Sequence, residues 1–276
     1  MLRSHLEDPN WDCKTFLQLA LPVLNRRWAG YRKVKSQVCK RVKRRARSLK
    51  LANLNEYWEY LQKNPPEWKE LDACCDITIS RFYRDHDVYD FMRDEILPGM
   101  VGSNKHGAPL RIWSAGCCSG EEPYTISLIC AFTLPKMFSQ FTIQIVATDR
   151  NQELLQKAQR GCYKSSSLRE LPENWKQVAF ELDQDQYCLK ESYRKPVEFL
   201  KQDIRSHHPQ GTFKLILCRN LVAMYFDSEV QIQIFKEIGN RLEIGGYLIL
   251  GKHEILPPGL EDFELHHEHF RIYRKC

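Results

Sequence analysis

Beyond residue 110 the chain alternates short apolar runs with stretches of helical period, and this alternation restricts the fold more than any other feature. The runs are 110–115 (LRIWSA), 142–147 (TIQIVA), 197–200 (VEFL), 213–218 (FKLILC) and 246–250 (GYLIL). Helical spacing covers 121–133, 151–160 and 228–242; the last carries Val230, Ile234, Phe235, Ile238 and Leu242 on one face behind a cap at Asp227 or Ser228. Parallel strands cannot be joined by tight turns and need crossovers, so this order predicts an α/β fold with a doubly wound, mostly parallel sheet. The tail 263–274 alternates in places and predicts a closing antiparallel hairpin. The polar stretch 163–196 is long for a connection and predicts a small insertion.

Upstream the period is helical. Val34, Val38, Val42, Ala46 and Leu49 form one apolar stripe, Leu54, Tyr57, Trp58 and Leu61 continue the spacing, and Asn64-Pro65-Pro66 stops it. A further helix is predicted over 85–96, ending before Pro98 and Gly99. The expected division is a helical N-terminal domain over 1–100 and an α/β domain over 101–276. The net charge is +6, but residues 31–50 alone hold ten Lys or Arg and no acid, leaving −4 for the rest of the chain. Ten mutually repelling charges on one helix predict a surface for an acidic partner, with RNA or a plain solvated face as alternatives. Trp28, Tyr31, Tyr57 and Trp58 surround the basic run and are not interleaved with it as base-stacking aromatics would be, so nucleic acid is disfavoured.

Composition excludes disorder, collagen-like sequence and a disulfide-stapled miniprotein: 43% of residues are hydrophobic and 28% charged. The eleven cysteines are odd in number, thinly spread and preceded by no signal sequence, which predicts a reducing, cytoplasmic setting. Cys74-Cys75 and Cys117-Cys118 lack CxxC spacing, and His266, His267 and His269 supply too few ligands on one strand face, so no metal is expected. The longest apolar run, Phe16 to Leu24, is too short to span a bilayer.

The strongest local signal is Trp113-Ser-Ala-Gly116-Cys-Cys-Ser-Gly120-Glu121-Glu122-Pro123, between the first strand and first helix of the alternating region. It is neither a phosphate loop nor a GxGxxG fingerprint. Glu121 and Glu122 would repel a phosphate but receive an ammonium or sit near a sulfonium, which points to S-adenosylmethionine; the alternative is that both only complement the helix dipole. Asp149, at the tip of the second strand, suits both hydroxyls of a ribose, or a helix cap. Asp203, after the third, suits an adenine amino group, with Ile204 covering a ring face.

These residues resemble the CheR family of chemotaxis receptor methyltransferases. WSAGCCSGEEPYTISL is similar to the family's cofactor motif, Ser80-Arg-Phe-Tyr-Arg84 to its T-x-F-F-R, and Cys218-Arg219-Asn220 with Tyr225-Phe226-Asp227 to its CRN…YFD. The resemblance spans roughly residues 30 to 274. It implies a class I methyltransferase-like sheet in which Thr78, Ser80, Arg84, Gly116, Glu122, Asp149, Asp203, Ile204, Arg219 and Asn220 line the S-adenosylmethionine site, the product being S-adenosylhomocysteine. It implies that Arg84 and Tyr225 face the transferred methyl group, and that 163–196 forms a small β subdomain. The chain departs from the family pattern at Thr78 (an Asn in the family), Ser80 (a Thr) and Asp203 (an Asn), and its CRN-to-YFD segment is one residue longer.

The implied acceptor is a glutamate carboxylate of a protein. Such a nucleophile is already ionised at neutral pH, so alignment and an orienting cation replace a general base. A small-molecule or non-carboxylate acceptor, and a catalytically silent cofactor-binding sensor, are the alternatives.

Overall fold

The computed structural model describes residues 11–102, 108–134 and 142–276; residues 1–10 of the expected helical domain lie outside them. The chain forms two compact units, Met1–Ile77 with Ala223–Gln231, and Thr78–Val222 with Ile232–Cys276. The division thus falls at 77/78 where 100/101 was expected. The reason is packing: Val88, Met92, Ile96, Leu97 and Met100 are buried in one core with Leu110 and Ile112 of the sheet.

The first unit contains α1 (Cys13–Val23), α2 (Trp28–Tyr31), α3 (Lys35–Ser48), α4 (Leu54–Lys63) and α5 (Glu67–Cys74). Asp12 and Asn53 cap α1 and α4 by accepting from the N–H groups of Thr15 and Glu56. Val38, Val42 and Ala46 are buried with Phe16, Tyr57 and Leu61, so the apolar stripe of α3 faces this core. Arg26 is buried with all three guanidinium nitrogens bonded, to Asp72 (2.7 Å), the Tyr31 hydroxyl (2.6 Å) and Asp76 (3.1 Å). The segment 223–231 belongs to the same core. Gly30 lies so close to it that a Cβ would sit 2.1 Å from the Met224 carbonyl oxygen. The Tyr225 ring packs on Tyr31 with centroids 5.1 Å apart, and the Arg27 N–H donates to the Tyr225 carbonyl.

The second unit opens with α6 (His86–Phe91), a π-turn (Met92–Ile96) and α7 (Leu97–Gly102). The helical path therefore runs through Pro98 instead of stopping before it. The π-turn widens the backbone ahead of the proline, relieving the clash that a pyrrolidine ring makes with the preceding turn of a regular helix. There follow β1 (Leu110–Ala115), α8 (Glu121–Thr133), β2 (Ile143–Asp149), α9 (Gln152–Arg160) and β3 (Cys162–Tyr163). Next come α10 (Glu173–Ala179), β4 (Phe180–Asp183), β5 (Gln186–Leu189), α11 (Glu191–Arg194), β6 (Val197–Lys201) and β7 (Phe213–Cys218). The chain ends with α12 (Val222–Tyr225), α13 (Ser228–Arg241), β8 (Leu242–Leu250), β9 (Phe263–His267) and β10 (Ile272–Lys275).

The main sheet has seven strands in the order β6-β2-β1-β7-β8-β10-β9. The first five pair in parallel, and β10 runs antiparallel to both β8 and β9. Strand order reverses between β1 and β7, so the loops leaving their carboxyl ends diverge and open a crevice there. The insertion is an antiparallel sheet of order β3-β5-β4.

The cysteines differ from the reducing-compartment expectation at four positions: disulfides join Cys13 to Cys39 and Cys162 to Cys188, and seven cysteines remain free. Tertiary packing creates both pairs. α1 meets α3 in one core, and the β3–β5 register sets Cys162 opposite Cys188. No helix among the described residues is long and apolar enough to cross a membrane.

Candidate functional site

The loop after β1 turns on left-handed backbone at Gly116 (φ 74°), Cys118 (φ 54°) and Gly120 (φ 91°). Gly116 needs its missing side chain, since a Cβ would meet Leu221 at 2.5 Å. The N–H groups of Gly116 and Cys117 both donate to the Thr148 carbonyl, tying the loop to the end of β2. Asp149 finishes that tie, with one carboxylate oxygen accepting the Cys118 N–H and the other the Asn151 N–H, both at 2.9 Å. The cap of α9 is Asn151, which accepts from Glu153 and Leu154, so Asp149 is not spent on the helix dipole.

Glu121 and Glu122 separate in role. Glu121 is buried and receives the Ser119 hydroxyl on both oxygens (3.0 and 2.8 Å). Glu122 reaches back to β1, where one oxygen accepts the Ser114 hydroxyl at 2.8 Å and the other lies 3.4 Å from both the Tyr89 hydroxyl and an Arg219 nitrogen.

Arg219, directly after β7, organises this end of the crevice. It donates to the Tyr89 hydroxyl (2.9 Å), the Arg84 carbonyl (3.1 Å) and Asp85 (2.7 Å), while its Nε is buried without a hydrogen-bond partner. Burial alone would depress its pKa, but Tyr89, Glu122 and Asp85 together raise it, so the guanidinium stays charged. Burial pushes the Tyr89 hydroxyl up, keeping it protonated, able both to accept from Arg219 and to donate toward Glu122. The Arg84 guanidinium bonds the Ile79 carbonyl at 3.0 Å, folding the 78–84 segment back on itself, with Thr78 and Ser80 half-buried along it.

Across the crevice, the Gln202 N–H donates to the Asp149 carbonyl, placing Asp203 and the buried Ile204 just beyond the tip of β2. Asp203 is clasped by Arg205 (2.6 and 2.9 Å) with Arg150 at 3.8 Å. Burial would raise its pKa, yet the Arg205 hydrogen bonds lower it, so it stays ionised and any adenine amino group would share it with arginine.

One residue with a direct hold on this site escaped the sequence reading. Glu254 is buried, and its carboxylate accepts the backbone N–H groups of Asn220, Leu221 (3.0 Å) and Gly251 (2.8 Å). It holds Asn220 in left-handed backbone (φ 55°) and fixes Leu221 against Gly116. The only local signal was a glutamate three residues after Gly251, the glycine that follows β8. The structure thus assembles Glu122, Arg219 and the Arg84 backbone in one cluster, and Gly116 with Asp149 and Asn220 around the neighbouring loop. Tyr225 belongs instead to the first unit, buried beside Tyr31.

A mostly parallel sheet with its switch point between β1 and β7 and an antiparallel strand pair at one edge is the fold of the class I methyltransferases. Residues 78–271 match the model of the CheR methyltransferase SAM-binding domain, and residues 33–71 that of the CheR methyltransferase all-alpha domain. The chain belongs to the CheR family of S-adenosylmethionine-dependent methyltransferases. Its relatives include the chemotaxis protein methyltransferase of Listeria monocytogenes, 31% identical over 210 residues that make up 76% of this chain and 78% of the relative. The chemotaxis protein methyltransferase of Borreliella burgdorferi is 30% identical, covering 74% of each chain. Chemotaxis protein methyltransferase 1 of Pseudomonas aeruginosa is 34% identical, over 63% of this chain and 65% of its own.

Proposed function

We propose that this chain methylates a glutamate carboxylate of an acidic protein, a receptor of the chemotaxis type. S-adenosylmethionine supplies an electrophilic methyl group on a sulfonium. Glu122 takes its ammonium end, Asp149 the ribose hydroxyls and Asp203 with Ile204 the adenine, while Gly116 and Asn220 allow close backbone approach and Thr78 and Ser80 border the pocket. Arg84 orients one oxygen of the incoming carboxylate while the other is aligned for in-line attack. No general base is needed, because the acceptor is ionised already. The family resemblance implies a role for Tyr225 at the transferred methyl group, and Tyr225→Phe, which keeps the ring, tests the hydroxyl alone.

The observation that carries this reading is the Arg219 cluster, in which one buried cation ties the Arg84 carbonyl and the Asp85 carboxylate to Glu122. Acceptor and cofactor groups thereby share a single anchor. The basic helix supports a protein acceptor. Arg41 and Arg45 are engaged by the Cys74 and Asp76 carbonyls and by Glu67, but the other eight bases of residues 31–50 are exposed. Lys40, Lys43, Arg44 and Arg47 follow i, i+3, i+4, i+7 spacing and make one cationic face for an acidic helix. The test is transfer from a methyl-labelled donor into a lysate of the source cell, followed by mild alkali. Release of volatile methanol is the expected signature of a carboxyl ester; label retained after alkali excludes a carboxylate acceptor.

A further inference from the structure

An open surface hollow of about 600 Å³ is lined by Lys252, His253, His266, His267, Glu268, His269 and Arg271. The cofactor and acceptor roles above use none of these side chains. Four imidazoles and two permanent cations face a space of small-molecule size, and each of the six can present an N–H to a ligand.

The geometry is built from several elements. His267 stacks on Phe270 (4.5 Å between centroids) and packs on Phe91 (4.6 Å), and its Nδ1 accepts the Phe270 N–H, which leaves the ring proton on Nε2. His266 lies edge-on to Tyr247 at 5.0 Å, and His269 to Phe270 at 5.0 Å. The Arg271 Nε is buried without a hydrogen-bond partner. From α6, Asp87 faces Lys252 at 3.7 Å and His86 at 3.7 Å. Among the described residues no group of three or more His, Cys, Asp or Glu is placed to hold a metal ion, so imidazoles gathered here have another chemistry open to them.

Charge balance decides which. With the imidazoles neutral, Lys252 and Arg271 are offset by Glu268 and Asp87, and the pocket has no surplus for an anion. Each of His253, His266 and His269 that takes a proton adds a positive charge and a second N–H donor without adding an acid. We propose that this pocket is a proton-gated binding site for a small multivalent oxyanion of the sulfate or phosphate type. Protons and anion bind together: lowering the pH charges the histidines, and a bound dianion holds them charged.

Inorganic sulfate is the probe, because it is a dianion throughout the range in which histidine titrates. Calorimetric titration of the full chain at constant ionic strength should give binding about tenfold tighter near pH 6 than near pH 8. The double substitution His253→Ala with His269→Ala, at two exposed positions, should remove most of that gain, and Lys252→Ala should weaken binding at both pH values. Equal affinity at the two pH values, or a double variant that keeps the full pH dependence, overturns the proposal. Saturable zinc binding by a pocket inert to sulfate overturns it as well. Affinity for S-adenosylmethionine serves as the folding control. The titration involves no methyl transfer, so its failure would leave the assigned reaction standing.

Discussion

Among the described residues each unit buries one arginine, and the two are used differently. Arg26, in the helical unit, has every guanidinium nitrogen bonded at 2.6 to 3.1 Å. Arg219, in the α/β unit, keeps a buried Nε without a hydrogen-bond partner and holds Glu122 only at 3.4 Å. A guanidinium serving the fold alone is saturated by its surroundings, because unmet donors in the interior are costly. Arg219 instead lies against the Arg84 carbonyl and Glu122, residues of the proposed cofactor site.

The contrast can be broken most forcibly at Arg26. Arg26→Met removes the buried guanidinium that binds Asp72, Asp76 and the Tyr31 hydroxyl and should lower unfolding free energy by about 3–5 kcal/mol in urea melts, with calorimetric affinity for S-adenosylmethionine unchanged wherever the protein stays folded. Loss of cofactor affinity in that variant would erase the distinction. Arg219→Lys keeps the charge but loses the fork, and should weaken cofactor binding by about 30- to 100-fold, some 2–3 kcal/mol. Asp149→Ala removes the proposed ribose acceptor and loosens the Cys118 N–H, for an expected loss of about tenfold or more in affinity. Unchanged binding would reassign Asp149 to the loop alone.

The smallest expected effect is on acid stability. Glu67 is held below the usual carboxylate range by Arg45, against the opposing effect of burial, and Asp203 is held low by Arg205 in spite of burial. A carboxyl whose pKa falls on folding contributes fully above its unfolded value and loses that contribution as pH drops through the folded value. Urea midpoints should therefore decline below about pH 4, and Glu67→Gln or Asp203→Asn should each flatten part of that decline.

The alternation of period made the sheet readable because each strand and each crossover helix carries its own hydrophobic pattern. β1 and β7 fall on their expected residues, and α8 and α9 within a residue of theirs. β8 begins at Leu242, four residues early, because its first half is the less buried part and shows little apolar run. Features that depend on distant pairing were illegible. Nothing local distinguishes Cys162 and Cys188 from the free cysteines until strand register sets them opposite each other. Glu254 looked like any loop glutamate until three backbone N–H groups, two of them more than thirty residues away, converged on it. Tyr225 carried a motif but not its surroundings, and its ring lies in a core built from residues some two hundred positions earlier.

That last placement bears on how the chain is made. The helical unit is completed by residues 223–231, so a ribosome releasing the chain from its N-terminus exposes five helices long before the piece that seats against Gly30 and Tyr31 has been synthesised. The first part to emerge is therefore among the last to be finished. Its closing contacts have high sequence separation, which slows their formation and lengthens the time during which apolar helix faces depend on chaperones.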